Sequence, residues 1–142
     1  MKPIQPDDVS RSKAAVLQRC LKRIKEEYKA DPSFESFTHL DAMTLNLERA
    51  CQAAIDLANH TVSKSKLGVP NSSAEAFKLL ADSGIIDKPM AQELAAMSGF
   101  RNIAVHQYQR IQNEVLKAIV ENKLEIFENL CRKLGIDIYS PE

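Results

Sequence analysis

Glycine and proline are absent from residues 7–31, 33–67 and 100–134 and gather in the stretches between them. No other feature constrains the fold as strongly. Both residues punctuate helices, so three uninterrupted runs separated by clustered breakers predict long helices joined by short turns. Apolar spacing agrees. In the first run Val9, Leu17, Leu21, Ile24 and Tyr28 recur on one helical face, with Val16 and Cys20 beside them. Asp7 or Asp8 can cap that helix and place negative charge at its positive end. Pro32 disfavours a helical residue before it, so the helix spans about residues 8–29.

A second helix is expected from Thr38, because Thr38-His39-Leu40-Asp41 has the form of a capping box. Leu40, Met43, Leu47, Cys51, Ala54, Ala58 and Thr61 form its buried stripe, and Leu45, Ile55, Leu57 and Val62 widen it. So broad and alanine-rich a face fits a central helix, or one that also meets a second subunit. Ser72-Ser73-Ala74-Glu75 opens a third helix with another capping box, and Gly84 closes it. A fourth begins near Asp87-Lys88-Pro89 and carries Met90, Leu94, Met97, Ala104 and Val105. The last holds Val115, Leu116, Ile119, Val120, Leu124, Phe127, Leu130 and Leu134 and stops at Gly135. One helix from 89 to 134 would be roughly 69 Å long, too long for a compact domain of this size. A break is therefore expected in the polar run Gln107–Asn113. Ile136–Tyr139 alone looks strand-like, and one short strand makes no sheet. The reading is an all-α, up-and-down bundle of about five helices in one domain over 1–142, its core about 9–134 between tails 1–8 and 135–142.

Composition narrows the function classes. Nineteen Lys and Arg balance nineteen Asp and Glu, so the net charge is zero. A protein that grips nucleic acid by bulk charge is excluded, as are a polybasic membrane-surface protein and an acidic disordered tail. Binding must use a small local site. The N-terminus has no apolar run and no stretch approaches a membrane span, which predicts a cytoplasmic protein. Three cysteines without C-x-x-C spacing fit reduced core thiols better than a disulfide scaffold.

Glycine-rich phosphate loops, G-x-S-x-G, HExxH and zinc patterns are all absent from the sequence. His39 is expected to be a solvated residue in a first helical turn. His60 follows Asp56 by four residues, so the two are expected to pair locally. That pair alone would leave a metal's coordination sphere mostly empty. His106 is different, because Phe100-Arg101-Asn102-Ile103-Ala104-Val105-His106-Gln107-Tyr108 contains Arg-x4-His-x-Tyr. On one straight helix Arg101 and Tyr108 lie about 20° apart, whereas His106 is turned about 140° from Arg101. Bringing Arg and His together thus requires the helix to end near His106, or a second copy of the motif from another subunit. Asn102 is a helper on the motif turn or on phosphate, or an exposed helix residue. Lys64, Lys66 and Arg110 form a modest cationic rim or plain solvated surface.

The nonapeptide resembles the Rx4HxY signature of the HepT-like ribonuclease toxins of the HEPN superfamily. The resemblance runs from about residue 9 to residue 134. Its other carriers are Ala30-Asp31-Pro32-Ser33-Phe34, Leu45 to Cys51, Ile55 to His60, and Gly68 to Ser73. It implies a metal-independent endoribonuclease without cofactor, a homodimer whose two motifs face each other in a cleft, and a bacterial toxin–antitoxin role. It also implies an MNT-type nucleotidyltransferase antitoxin that silences the toxin by transferring adenylate to the motif tyrosine, here Tyr108.

The residues suit that chemistry. RNA carries its own nucleophile, the 2′-hydroxyl, and an imidazole of ordinary pKa near 6.5 can take its proton at neutral pH. Arg101 offers a planar fork to phosphate, and Tyr108 can donate to a phosphate oxygen or stack on a base. Two other readings stand beside this one. The chain could be a non-catalytic helical dimerisation module that binds a nucleotidyltransferase partner or a nucleotide, or the Arg-His-Tyr cluster could be structural.

Overall fold

The computed structural model describes residues 4–106 and 113–138, the side chains of 100–106 excepted. The described residues form six helices and no strand: α1 Asp8–Ala30, α2 Phe37–Lys64, α3 Ser73–Asp82, α4 Lys88–His106, α5 Asn113–Asn122 and α6 Glu125–Lys133. All-α architecture is thus as expected, with one helix more than the sequence reading gave. The expected last helix is two. Lys123 N–H still reaches back four residues to Ile119, but Ile126 and Phe127 reach back only three, to Lys123 and Leu124. Leu124, Ile126 and Phe127, around this tightened turn, are all buried. The break expected in Gln107–Asn113 falls on 107–112, outside the described residues.

Helix α2 is the centre of the bundle. It packs on α1, α3, α4 and α6. Every residue of its expected stripe is buried, and Ile55, Leu57 and Val62 widen it as expected, while Leu45 is partly exposed. Ala50, Ala53, Ala54 and Ala58 let neighbouring backbones approach closely without a loss of rotamer entropy. On α1 the buried set is Ser10, Ala14, Leu17, Cys20, Leu21 and Ile24. Val9 lies at the edge of that arc and is half exposed, a correction to the stripe read from the sequence.

Helices α1 and α2 run antiparallel and are tied at three heights. At one end the Asp7 carboxylate accepts from His60 Nε2 at 2.8 Å and pairs with Lys64 at 3.3 Å. Six residues further along the chain, Lys13 donates to Asp56 at 3.2 Å. At the other end His39 Nδ1 donates to Glu27, which also accepts from Arg23 at 2.6 Å. Two expectations are corrected here. His60 pairs with Asp7 rather than with Asp56, whose oxygens are taken by Lys13 and Gln52. His39 does stand in a first helical turn, but it is held against α1 rather than simply solvated.

Capping explains the helix boundaries. Asp7 accepts from Ser10 N–H and starts α1, and Ser72 accepts from Glu75 N–H and starts α3. The expected cap at Thr38 is not used. Ser36 occupies the N-cap of α2 without a side-chain cap bond, and Asp31 accepts instead from the Glu35 and Ser36 N–H groups. Asp31 therefore ends α1 and shapes the entry to α2. Gly135, at φ +84°, closes α6, where a Cβ would stand 3.1 Å from the Ile4 carbonyl oxygen. The N-terminal segment crosses that spot, with Lys64 donating to the Gln5 carbonyl at 2.6 Å. Cys20, Cys51 and Cys131 are buried and form no disulfide. Burial raises the Cys20 thiol and pushes Cys131 up to about 12, which keeps both protonated and chemically quiet.

The Asp7 carboxyl is held well below the usual carboxylate range, first by Ser10 N–H, then by His60 and Lys64. A depressed native pKa contributes stability above the unfolded value of about 3.9, and that contribution is lost as pH falls through the native value. Asp7→Asn keeps a capping oxygen but removes the charge, so it should lower Tm at pH 7. The gap to wild type should narrow below about pH 4. Thermal melts with a gap unchanged down to pH 2 would contradict this assignment.

Candidate active site

Arg101, Asn102 and His106 all stand on α4, in the part of the helix that follows its buried anchor. That anchor begins at the N-terminus, where Asp87 accepts from Met90 N–H at 2.8 Å and caps the first turn. Pro89 sits in that turn, where its missing N–H costs nothing. Ala91, Leu94 and Met97 are buried, with α3 and α2 packed against the helix. Ser98 is buried too and satisfies its hydroxyl by donating to the Leu94 carbonyl at 3.2 Å. The motif positions begin three residues further on. They are thus carried by a helix whose preceding turns are packed into the core.

The register settles one geometric question. Because α4 includes both Arg101 and His106, the two positions lie about 7.5 Å apart along its axis and about 140° around it. Tyr108, together with Arg110 of the expected cationic rim, lies outside the described residues. Lys64, another residue of that expected rim, donates to the Gln5 carbonyl and pairs with Asp7. Among the described residues no group of three or more His, Cys, Asp and Glu could hold a metal ion. No helix among them is long and apolar enough to cross a membrane.

What the sequence reading missed is the electrostatic scaffolding. The His60–Asp7 pair joins residues 53 apart in the chain. Only a fold that returns α2 along α1 brings them together, so no local spacing could signal it.

An all-helical bundle whose fourth helix bears Arg-x4-His fits the HEPN class of helical nucleases that the sequence resembles. Comparison with known proteins gives the family. The profile of the family described as "Ribonuclease HepT-like" matches residues 17–134, most of the chain. The chain belongs to the HepT-like ribonuclease family. It is 42% identical over 123 residues to the "mRNA nuclease HepT" of Shewanella oneidensis, covering 86% of this chain and 92% of that protein. It is 40% identical over 74 residues to the "tRNA nuclease HepT" of Aphanizomenon flos-aquae, covering 51% of this chain and 50% of that one. Among solved structures, the tri-AMPylated Shewanella oneidensis HEPN toxin in complex with its MNT antitoxin superposes with a TM-score of 0.86. Identity there is 39%, covering 92% of this chain and 98% of that one. A toxin–antitoxin structure with AMP-PNP gives a TM-score of 0.85 at 38% identity, covering 91% and 99%.

Proposed function

We propose that this chain is the endoribonuclease toxin of a toxin–antitoxin pair, acting in the cytoplasm as a homodimer on single-stranded RNA, with Arg101 and His106 as its catalytic residues. The observation that carries the reading is the Arg101-x4-His106-x-Tyr108 motif in a chain so similar over most of its length to an mRNA nuclease. The placement of the motif on a core-anchored helix supports it.

The reaction needs only groups that the chain and the RNA possess. His106 takes the proton of the 2′-hydroxyl, and the freed oxygen attacks the adjacent phosphorus. The bond from phosphorus to the 5′-oxygen of the next nucleotide breaks, and that oxygen leaves with a proton from the partner subunit's His106. The products are a 2′,3′-cyclic phosphate and a 5′-hydroxyl. Arg101 stabilises the charge that grows on the non-bridging oxygens. The 140° between the Arg101 and His106 positions favours a site assembled from two copies of α4 over one built from a single helix. Asn102 assists on the phosphate or the motif backbone. Since the nucleophile belongs to the substrate, no activated water or metal is required.

Control by an MNT-type nucleotidyltransferase follows from the same motif. The solved relative in complex with its antitoxin carries three AMP groups. Transfer of adenylate to the Tyr108 hydroxyl would add bulk and a phosphate's negative charge beside Arg101 and His106, where RNA must enter.

Wild type should cleave single-stranded RNA in excess EDTA, and His106→Ala should lower the rate by roughly 10²-fold or more while retaining the helical circular dichroism spectrum. Undiminished cleavage by that variant would overturn the catalytic assignment. A wild type that cuts no RNA yet co-purifies with its nucleotidyltransferase neighbour would favour the non-catalytic module instead. Intact-mass measurement after co-expression with that neighbour tests the control. One or more adenylates are expected on the Tyr108 peptide and none on Tyr108→Phe; equal modification of both proteins would contradict it.

A further inference from the structure

The zero net charge conceals a segregated helix. Helix α1 carries seven Lys and Arg against three acids. Two of those acids, Glu26 and Glu27, are paired with Arg23. At 100° per residue, Arg11, Lys22, Lys25 and Lys29 fall within an arc of about 60° that only Gln18 shares. Arg11, Lys22 and Lys29 are exposed, whereas Lys25 is half-buried and reaches Glu128 at 3.8 Å. This basic ridge leads into an open groove of about 790 Å³ between the end of α1 and the α5–α6 joint. Lys25 and Lys29 line its α1 side with Tyr28, whose hydroxyl donates to Glu121. Asn122 and Glu125 line the other side, over the buried Val120.

We propose that this face is an RNA exosite, in which the α1 ridge holds backbone phosphates away from the scissile one and the groove takes an unpaired base. The proposal rests on the reading of the chain as a ribonuclease and adds a second point of contact with the substrate. Three arguments carry it. A basic stripe along one helix of a chain whose net charge is zero is an electrostatic footprint for a polyanion. From Lys22 to Lys29 the helix rises about 10.5 Å, close to three nucleotide steps of a stacked strand. The groove then selects between polyanions. Glu121 and Glu125 would repel an acidic protein segment seated there, whereas carboxylates accept from the exocyclic amines of bases. The Asn122 amide both donates and accepts, and Tyr28 over an apolar floor gives a base something to pack on.

The test uses the full-length protein and RNA blocked by 2′-O-methyl groups, so that binding is read without cleavage. Fluorescence anisotropy would compare a single strand of about 20 nucleotides with one of about four, a length too short to span two sites. Arg11→Gln/Lys22→Gln/Lys29→Gln should keep the helical circular dichroism spectrum, which checks that the variant is folded. It should bind the long strand roughly tenfold or more weakly, with a log–log salt slope smaller by about 2, and bind the short strand as wild type does. Asn122→Ala should weaken the long strand with no change in salt slope. Unchanged affinity and slope for the triple variant would overturn the exosite, as would equal weakening on both strands. So would intact RNA binding with loss of co-purification of the nucleotidyltransferase, which would give the ridge to the protein partner. Cleavage of unmodified short RNA by the triple variant separates the two readings. Its persistence alongside lost long-strand binding supports both, and a wild type that cleaves neither strand refutes the nuclease rather than the exosite.

Discussion

Everything in this bundle depends on the burial of α2. A helix with fourteen buried positions, from Leu40 to Val62, cannot be stable on its own in water and must be surrounded. Its small residues set how closely the others approach. Ala50, Ala53, Ala54 and Ala58 replace bulk with proximity where α1 and α4 pack on α2, and Leu17, Leu21, Leu94 and Met97 are buried on those two helices. That is how a chain without Trp builds a dense core. The same packing fixes α4, and through α4 the motif that starts just beyond Ser98. The buried turns of α4 hold the register in which the Arg101 and His106 positions follow.

Polar contacts add orientation to that apolar frame. Exposed ion pairs contribute little individually, yet the three cross-links between α1 and α2, two toward the N-terminus of α1 and one toward its C-terminus, together fix the antiparallel register. Asp7 does this while capping α1, and Asp31 both terminates α1 and shapes the lead-in to α2. Single carboxylates at helix junctions thus serve two elements at once.

Much of this was legible in the sequence because it is local. The breaker-free runs, the Ser72 cap, the Gly84 and Gly135 stops and the α2 stripe follow from spacing within a few residues. The motif was legible as a family signature, although its bare spacing is weak evidence. What escaped was set by tertiary contact. Thr38 reads as a cap, but Asp31 shapes that entry from five residues before Ser36. No glycine or proline marks the turn at Lys123-Leu124, around which Leu124, Ile126 and Phe127 are all buried. His60 reads as a partner of Asp56 until the fold brings Asp7 to it. Neutral composition likewise averages away the basic ridge of α1, since net charge records the sum and a substrate meets the distribution.

The central claim is that two copies of a core-anchored helix cleave RNA through the substrate's own 2′-hydroxyl. The chemical identity of the product ends tests it most directly. Digestion of a defined single strand in EDTA, followed by mass analysis, should give fragments ending in 2′,3′-cyclic phosphate and beginning with 5′-hydroxyl. A strand carrying 2′-O-methyl at the nucleotide before each cut should stay intact. Fragments bearing 3′-hydroxyl and 5′-phosphate, or cleavage of the methylated strand at the same positions, would contradict the account.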